Sequence, residues 1–226
     1  MVLLTPFGVY PAQGDTAVLA AALAVVDIFP GARVLDLGTG TGVIAMAVAR
    51  RAAARVTAVD VSVRAVLAAW INTKMRGLRV RVMRGDLFAP VAGELFDIIV
   101  ANPPYVAGNP EPPPRHGRAR AWDAGLDGRR VLDRICAEAP RHLVHGGTLL
   151  MVHSALSGVE ASLCHLRASG LEPAVVARRP EPFGPVMRAR AAALETRGLI
   201  RPGQRHEELV VIRADRTEPV TRPRAV

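Results

Sequence analysis

The sequence is poor in the residues that mark metal-binding and disulfide-rich proteins. Its 226 residues include two cysteines, Cys136 and Cys164, which form neither a Cys-x-x-Cys pair nor part of a His/Cys cluster. This scarcity argues against a zinc site, so no bound metal is expected. Both cysteines fall in stretches that favour helices, and we expect two buried thiols in a reduced, cytoplasmic protein.

The chain also lacks the long apolar runs that membrane proteins need. Its start, MVLLTPFGVYP, has no basic segment and no long apolar core, so it is a poor signal peptide. The apolar run from Ala17 to Val26 is too short to span a bilayer. We therefore expect no membrane partner.

The composition is typical of one soluble globular domain. Hydrophobic residues make up 50% of the chain and charged residues 22%. The formal net charge of +9 weakly favours acidic partners such as RNA, ribosomes or nucleotides. We predict a single domain over residues 1–216, followed by a frayed tail at 217–226.

Predicted strands and helices alternate along most of the chain, with Asp15 as the expected N-cap of the first helix. Strands are predicted at 33–37, 55–60, 79–86, 96–101, 146–154, 172–179 and 207–214, and helices at 15–28, 43–53, 62–75, 127–142 and 156–169. This alternation predicts an α/β domain with a doubly wound, mostly parallel sheet. Ligands of such sheets bind at the carboxyl ends of the strands, near the point where the strand order reverses.

The stretch VLDLGTGTGV places three glycines, Gly38, Gly40 and Gly42, between a predicted strand and a predicted helix. Glycine lets a backbone turn tightly and approach a ligand closely. Asp60 ends the next strand, 20 residues after Gly40, where a carboxylate can bond both hydroxyls of a ribose. This pattern fits a dinucleotide site, an S-adenosylmethionine site, or a tight turn without a ligand.

Two further acids favour S-adenosylmethionine over a dinucleotide. Asp36 stands just before the glycines, where it would repel a pyrophosphate but suit the positively charged methionyl end of S-adenosylmethionine. Asp86 follows the third strand and could accept a hydrogen bond from the adenine amino group. A lone Asp after a strand is more commonly a helix cap, so each acid also has a purely structural interpretation.

Taken in order, VLDLGTGTG, AVD, GDLF and NPPYV resemble the class I S-adenosylmethionine-dependent methyltransferases. More narrowly, the chain resembles the HemK/PrmC group, which methylates a glutamine side-chain amide in release factors. The resemblance extends to VYPAQGDT upstream and to AWDAGLDGRRVLDR and EELVVIRA downstream. It implies a Rossmann-like fold and S-adenosylmethionine as cofactor, held by Thr16, Asp36, Gly38, Gly40, Asp60, Val61, Asp86, Leu87 and Asn102.

The resemblance assigns the catalytic role to the NPPY turn, in which Asn102, Pro103 and Tyr105 are the catalytic candidates. An amide nitrogen is a poor nucleophile, because its lone pair is delocalised into the carbonyl. The Asn102 side-chain oxygen and the Pro103 carbonyl can accept its two hydrogens and orient it. Tyr105 offers a face to a planar amide or base. The alternative is a turn that only ends the strand.

The chain departs from the longer release-factor enzymes, because it starts almost at the cofactor motif. It is more like the short eukaryotic and archaeal relatives, which often carry Pro and Glu where this chain has Ala12 and Gly14. Those short relatives often need a small zinc-binding activator subunit, which the resemblance makes a candidate partner beside the protein substrate.

Other functions stay open at this point. The chain could be an adenine-N6 methyltransferase acting on nucleic acid, a methyltransferase of a small metabolite, or a scaffold that binds no cofactor. His153 could line the pocket, although a partly buried structural role is the commoner one. The cations His116, Arg115, Arg118 and Arg120 lie on a proline-rich loop beside NPPY. They could grip an acidic partner or simply be solvated.

Overall fold

The strands form one seven-stranded sheet in the order β3-β2-β1-β4-β5-β7-β6. The computed structural model describes residues 3–51, 54–108 and 122–217. Strand pairing is parallel from β3 through β5, and β7 runs antiparallel to both β5 and β6. The predicted α/β fold with a mostly parallel sheet is therefore confirmed. The strands are β1 Arg33–Leu37, β2 Arg55–Asp60, β3 Val80–Arg84, β4 Phe96–Ala101, β5 Leu143–Ser154, β6 Glu172–Pro182 and β7 His206–Asp215.

Helices cover both faces of this sheet. They are α1 Gly14–Ala24, α2 Val43–Arg51, α3 Val63–Lys74, α4 Arg130–Glu138, α5 Val159–Ala168 and α6 Pro185–Thr196. Alternate residues of β4 belong to different cores: Ile99 packs in the cluster that contains α4 and α5 side chains, and Ile98 packs with α1 and α2 side chains. This two-sided burial explains why the central strands are almost continuously apolar, as expected for a doubly wound sheet.

The start and the end of α1 differ from the prediction. Gln13 occupies the N-cap position, and Asp15 lies inside the first turn, so the assignment of Asp15 as the N-cap is wrong. The helix ends at Ala24, short of residue 28. The guanidinium of Arg51 in α2 donates to the carbonyls of Leu23 and Val26 and satisfies the backbone that a longer helix would have used.

Other helix ends follow local chemistry. Ser62 caps α3 as predicted, and its Oγ accepts from the Ala65 N–H at 3.4 Å. The helix predicted at 127–142 begins at Arg130, because the Asp127 carboxylate accepts from the Arg129 N–H in a turn. Its last residues, Ala139–His142, form a 3-10 turn that begins next to Pro140.

The prediction missed α6, which lies between β6 and β7. Pro185 occupies its first turn, a position that proline favours. Its inner residues Met187, Ala191 and Leu194 pack in a third, smaller core that includes Val106. That core places α6 against the chain that follows the NPPY turn.

The prediction of two buried thiols is half right. Cys136 is buried, and burial raises the pKa of its thiol to about 12. Cys164 is exposed, so its predicted burial is wrong. It follows the inward-facing Leu163 on α5 by one residue, a rotation of roughly 100° about the helix axis, which turns it to solvent.

Within the described residues, no helix combines the length and the apolar character needed to cross a bilayer. The cations predicted on the proline-rich loop, His116, Arg115, Arg118 and Arg120, lie outside the described residues. The predicted tail lies outside them from residue 218 onward.

Candidate functional site

The glycine loop and the NPPY turn lie side by side at one edge of the sheet. β1 pairs in parallel with β4, with Leu37 opposite Ala101, so the next residues, Gly38 and Asn102, leave the sheet together. A Cβ added to Gly38 would lie 3.4 Å from the Asn102 carbonyl oxygen. β1 has β2 on its other side, so the chain leaves the sheet where the strand order reverses.

The glycine loop is anchored on the end of β2. The N–H groups of Gly38 and Thr39 donate to the Val59 carbonyl at 2.9 and 3.1 Å. Gly40 N–H donates to Asp60 Oδ2 at 3.0 Å. Gly38, Gly40 and Gly42 all have positive φ, which side-chain-bearing residues rarely adopt. The loop therefore presents bare backbone at the crevice.

Asp36 is buried beneath the loop and braces it. Its Oδ2 accepts from the Thr39 hydroxyl at 2.6 Å and from the Ala45 N–H, at the start of α2, at 3.1 Å. Burial raises the pKa of Asp36 to about 6, and these two bonds work against that rise. The carboxyl is thus mostly ionised at neutral pH and adds negative charge beside the loop.

Asp60 binds two backbone segments at once. Besides Gly40, it accepts from the Ser62 N–H through Oδ1 at 2.8 Å. A carboxylate has about four lone-pair sites, so each oxygen can still accept from a ribose hydroxyl. The half-buried Val61 follows directly. These positions agree with the predicted cofactor roles, which stay predictions.

Asp86 and Leu87 lie beyond the end of β3. Asp86 is exposed and forms an ion pair with Arg134 of α4 at 3.1 Å, a partner that the sequence did not indicate. Leu87 has φ of 48° and is the one non-glycine residue with positive φ in the described part of the chain. Such strained positions cluster at binding sites, and the adenine-side role of both residues stays a prediction.

The NPPY turn is tied to the start of α1. The Asn102 side-chain NH₂ donates to the Thr16 hydroxyl at 3.3 Å. Thr16 in turn donates to Asp15 Oδ1 at 3.2 Å, and the Tyr105 hydroxyl donates to Asp15 Oδ2 at 3.3 Å. Burial, followed by the charge of Asp15, raises the pKa of Tyr105 well above its usual value. Tyr105 is therefore a neutral donor whose hydroxyl is held by Asp15, and Pro103 of the same turn is buried.

Sequence reasoning missed the residues that hold the turn from the opposite side. Ser157 Oγ donates to the Tyr105 carbonyl at 2.8 Å. Gly128 has φ of 76°, and a Cβ there would overlap the same carbonyl oxygen. Arg129 is buried next to them and donates to the Gly158 carbonyl at 2.8 Å. The Asp-Gly pair at 127–128 was a turn signal that could have been used, whereas nothing local indicated Ser157.

The segment before α1 lies beside the glycine loop, and side chains of α3 hold it there. The Asn72 side chain exchanges two hydrogen bonds with the backbone of Leu4, at 2.9 and 3.0 Å, and donates to the Thr41 carbonyl at 3.0 Å. Arg64 donates to the Phe7 carbonyl at 3.0 Å. These contacts of α3 place the N-terminal segment, which sequence reasoning did not assign to the site.

The remaining candidates have structural roles. His153 is fully buried, its Nδ1 lies 2.8 Å from the Ser154 carbonyl, and burial lowers its pKa. It is a neutral core residue. Two arginines of α6 were tested as possible cations at the rim of the site. Arg190 donates to the Ala107 carbonyl at 2.9 Å and lies over the Trp122 ring at 4.4 Å, whereas Arg188 is exposed.

A small apolar cleft, with a cavity volume of about 20 Å³, adjoins Tyr105. Val106, Leu156, Met187 and Leu199 line it, and the polar side chains of Ser154 and Glu207 also reach it. Burial raises the pKa of Glu207. In the described part of the chain, no group of His, Cys, Asp or Glu side chains is arranged to hold a metal ion.

Most of the chain matches one known protein family. Residues 3–169 match the family described as the methyltransferase small domain. A protein N5-glutamine methyltransferase of Methanocaldococcus jannaschii is 34% identical over 154 residues, which are 68% of this chain and 78% of that protein.

Bacterial relatives share shorter stretches. The release factor glutamine methyltransferase of Gloeobacter violaceus is 43% identical over 129 residues, 54% of this chain and 45% of that protein. The ribosomal protein uL3 glutamine methyltransferase of Bradyrhizobium diazoefficiens is 44% identical over 125 residues, 52% and 39% respectively. The chain thus spans less than half the length of these two relatives.

Solved structures share the fold. One chain of the E. cuniculi Mtq2–Trm112 complex, which is responsible for methylation of the termination factor eRF1, superimposes with a TM-score of 0.65 at 24% identity. The alignment covers 93% of this chain and all of that chain. A T. thermophilus 16S rRNA methyltransferase has a TM-score of 0.58 at 20% identity, covering 91% of this chain and 44% of that one. At these identities the likeness shows the fold alone.

The close approach at Gly128 gives a prediction about stability. Gly128→Ala should lower the free energy of unfolding by about 1–3 kcal/mol more than Gly146→Ala, because only the first Cβ meets the Tyr105 carbonyl. Gly146 is a matched control: its φ is 77°, against 76° at Gly128, and a Cβ there meets nothing within 4 Å. Urea unfolding measures both. Equal losses in the two variants would contradict the contact.

Asp36 gives a prediction about pH. Burial raises its pKa from 3.8 to about 6, so the folded protein keeps a proton that the unfolded chain has already lost. Its contribution to the free energy of unfolding is fully present below about pH 4. It falls by about 1.4 kcal/mol for each pH unit as the pH rises from the unfolded pKa of 3.8 to the folded pKa of about 6.

Asp36→Asn has no such proton to lose. Urea unfolding from pH 4 to 7 should therefore show the wild type losing stability relative to Asp36→Asn up to about pH 6, the folded-state pKa. Above that the difference should be constant. A difference that does not change with pH would show that the carboxyl is not buried as described.

Proposed function

The chain belongs to the methyltransferase small domain family, and from this premise we propose that it transfers a methyl group from S-adenosylmethionine to the side-chain amide nitrogen of a glutamine in a protein, most specifically a peptide chain release factor. The observation that carries the proposal is the position of the NPPY turn. The Asn102 backbone lies against Gly38, so the proposed site for the substrate amide adjoins the glycine loop proposed to bind the cofactor.

The residues around the loop suit S-adenosylmethionine. The bare backbone of Gly38 and Gly40 leaves room for close approach, and the Asp60 carboxylate at the end of β2 can accept from the ribose hydroxyls. Asp36 adds negative charge beside the loop, which favours a cationic ligand over a pyrophosphate. Val61, Asp86 and Leu87 would complete the nucleoside side. When bound, S-adenosylmethionine supplies an electrophilic methyl group.

The chain's own residues would prepare the glutamine amide. Asn102 Oδ1 and the Pro103 carbonyl accept its two hydrogens, which orients the nitrogen and favours positive charge on it as it reacts. The buried Pro103 and the carbonyl bond from Ser157 keep this turn rigid, so little reorganisation is needed. The Tyr105 ring, held by Asp15, offers a flat surface beside the amide.

Glutamine is favoured over adenine by the named activities of the relatives. The relative at 34% identity is named as a protein N5-glutamine methyltransferase, and the relatives at 43% and 44% are named as glutamine methyltransferases of a release factor and of ribosomal protein uL3. A release-factor substrate also places the proposed reaction in the cytoplasm. The neighbour of known structure works as a complex of two proteins, which supports a small activator subunit as a candidate partner here.

Cofactor binding gives the first test. Asp60→Ala should weaken the binding of S-adenosylmethionine by about 1.5–3 kcal/mol, the range for hydrogen bonds to a charged group. Isothermal titration calorimetry measures this, with the exposed Asp27 of the α1–β1 connection changed to Ala as the charge-matched control. Binding of NAD by the wild type, or an unchanged affinity in Asp60→Ala, would contradict the cofactor assignment.

Turnover on a defined substrate gives the second test. Purified release factor, incubated with the protein and S-adenosylmethionine, should gain the mass of one methyl group on its glutamine-bearing peptide, and changing that glutamine should abolish the gain. Asn102→Ala should lower kcat by about 100-fold or more while leaving cofactor affinity nearly unchanged, because its bond matters most as charge develops on nitrogen.

The reactions should be run with and without a candidate activator subunit and beside a methyl-deficient lysate treated with nuclease or protease. Label that only nuclease removes, with no methylated release factor under either condition, would replace the glutamine proposal by the adenine one. Label in neither macromolecule would favour a small metabolite.

A further inference from the structure

The amide of Asn102 has two chemically different ends, and only one of them serves the proposed reaction. Its Oδ1 can accept a hydrogen from the substrate amide, whereas its NH₂ group can only donate. A side chain free to turn over would present the wrong end part of the time. A contact within the protein must therefore fix which end of the Asn102 amide faces the substrate.

A chain of hydrogen bonds from α1 fixes the orientation of the Asn102 amide. The Thr16 N–H lies 2.6 Å from Asp15 Oδ1 and can only donate, so Oδ1 is an acceptor. The Thr16 hydroxyl lies 3.2 Å from the same oxygen, so it must donate its single hydrogen to Asp15. Toward any other neighbour the Thr16 hydroxyl oxygen can then only accept. It lies 3.3 Å from the Asn102 side-chain nitrogen and therefore binds the NH₂ end of the amide.

The Asp15 carboxylate is itself fixed from its other side. It is 6% exposed, and its Oδ2 accepts from the Tyr105 hydroxyl at 3.3 Å. Two bonds join α1 to the turn that follows β4: the Thr16–Asn102 pair is separated by 86 positions in the sequence and the Asp15–Tyr105 pair by 90. Three donor groups from two residues therefore hold one buried acid, which sets the direction of every bond between it and Asn102.

We propose that Asp15 and Thr16 are positioning residues, which lock the Asn102 amide with its NH₂ on Thr16 and its Oδ1 directed to the substrate. This inference rests on the proposed function, in which Oδ1 accepts from the glutamine amide. It gives Thr16 a role different from the cofactor contact that the family resemblance implies. Thr16 acts through Asn102 and need not touch the substrate.

Three substitutions isolate this role. Thr16→Val keeps the shape of the side chain but removes the acceptor, so the Asn102 amide loses its preferred orientation. Thr16→Ser keeps a hydroxyl at the same place. Asn102→Asp has two equivalent oxygens and needs no orientation, so Thr16 should matter little in that background. Thr73→Val on α3, which removes a buried hydroxyl bonded to the Ala69 carbonyl, is the matched control.

The kinetic test is a double-mutant cycle on methylation of the release factor, with thermal unfolding to confirm that each variant is folded. Thr16→Val should lower kcat by about 10-fold or more, with KM and the Kd for S-adenosylmethionine within about 3-fold of the wild type. Thr16→Ser and Thr73→Val should stay within about 3-fold in kcat. In the Asn102→Asp background, Thr16→Val should change kcat by less than about 3-fold.

Two kinetic outcomes would overturn the proposal. One is an equal fall in kcat on adding Thr16→Val to either background. The other is a loss of cofactor affinity as large as the loss of kcat, which would make Thr16 a cofactor contact instead.

A second measurement needs no substrate. In protein labelled with ¹⁵N-asparagine, the side-chain NH₂ protons of Asn102 should show nuclear Overhauser contacts to Thr16 side-chain protons. In Thr16→Val the Asn102 NH₂ protons should exchange faster with water, as expected after losing their acceptor. Absence of these contacts in the wild type overturns the orientation whatever the enzyme methylates. Their presence without any methylated release factor refutes the proposed substrate and leaves the orientation standing.

Discussion

The parallel pairing of β1 with β4 is the constraint on which the whole site depends. With Leu37 opposite Ala101, the first residue of the glycine loop and the first residue of the NPPY turn leave the sheet as neighbours. Neither motif could serve the other at a different register, because a shift of one residue would reverse the faces of every strand side chain. Both faces of β4 are buried, with Ile98 and Ile99 in separate cores.

Two acids at this edge, the half-buried Asp60 and the buried Asp36, hold the glycine loop in place. Asp60 binds Gly40 and Ser62 through backbone N–H groups and so joins the loop to the start of α3. Asp36 holds Thr39 and the start of α2. These bonds preorganise a loop of positive-φ glycines that would otherwise be conformationally free. The same negative charges would suit the proposed cationic cofactor, so in this proposal one set of carboxylates serves both folding and binding.

The acceptor side of the site is built by distant parts of the chain. Asp15 and Thr16 reach the turn from α1, while Ser157 and Gly128 hold the Tyr105 carbonyl from the opposite side. The turn is therefore held by contacts from separate parts of the chain. Rigidity of this kind is what orienting a weak nucleophile requires, since its productive geometry is narrow.

The sequence alone determined the elements whose signals are local. Apolar runs bounded by turns placed all seven strands, Ser62 identified the start of α3, and the motifs around Gly38, Asp60 and Asn102 carried the family resemblance. The helix α6 was missed although Pro185 and the spacing of Met187, Ala191 and Leu194 indicated it. Cys164 was misassigned because one residue of helical rotation separates the core from solvent.

Only the tertiary structure decided which side chains meet. The end of α1 depends on Arg51, and the position of the N-terminal segment depends on Asn72. The orientation of Asn102 depends on Thr16, which lies 86 residues earlier in the sequence and is bonded to its neighbour Asp15. No local pattern encodes such contacts, because they arise when strand order and helix packing bring remote segments within hydrogen-bonding distance. The residue types were visible in the sequence, but the direction of each hydrogen bond came from the fold.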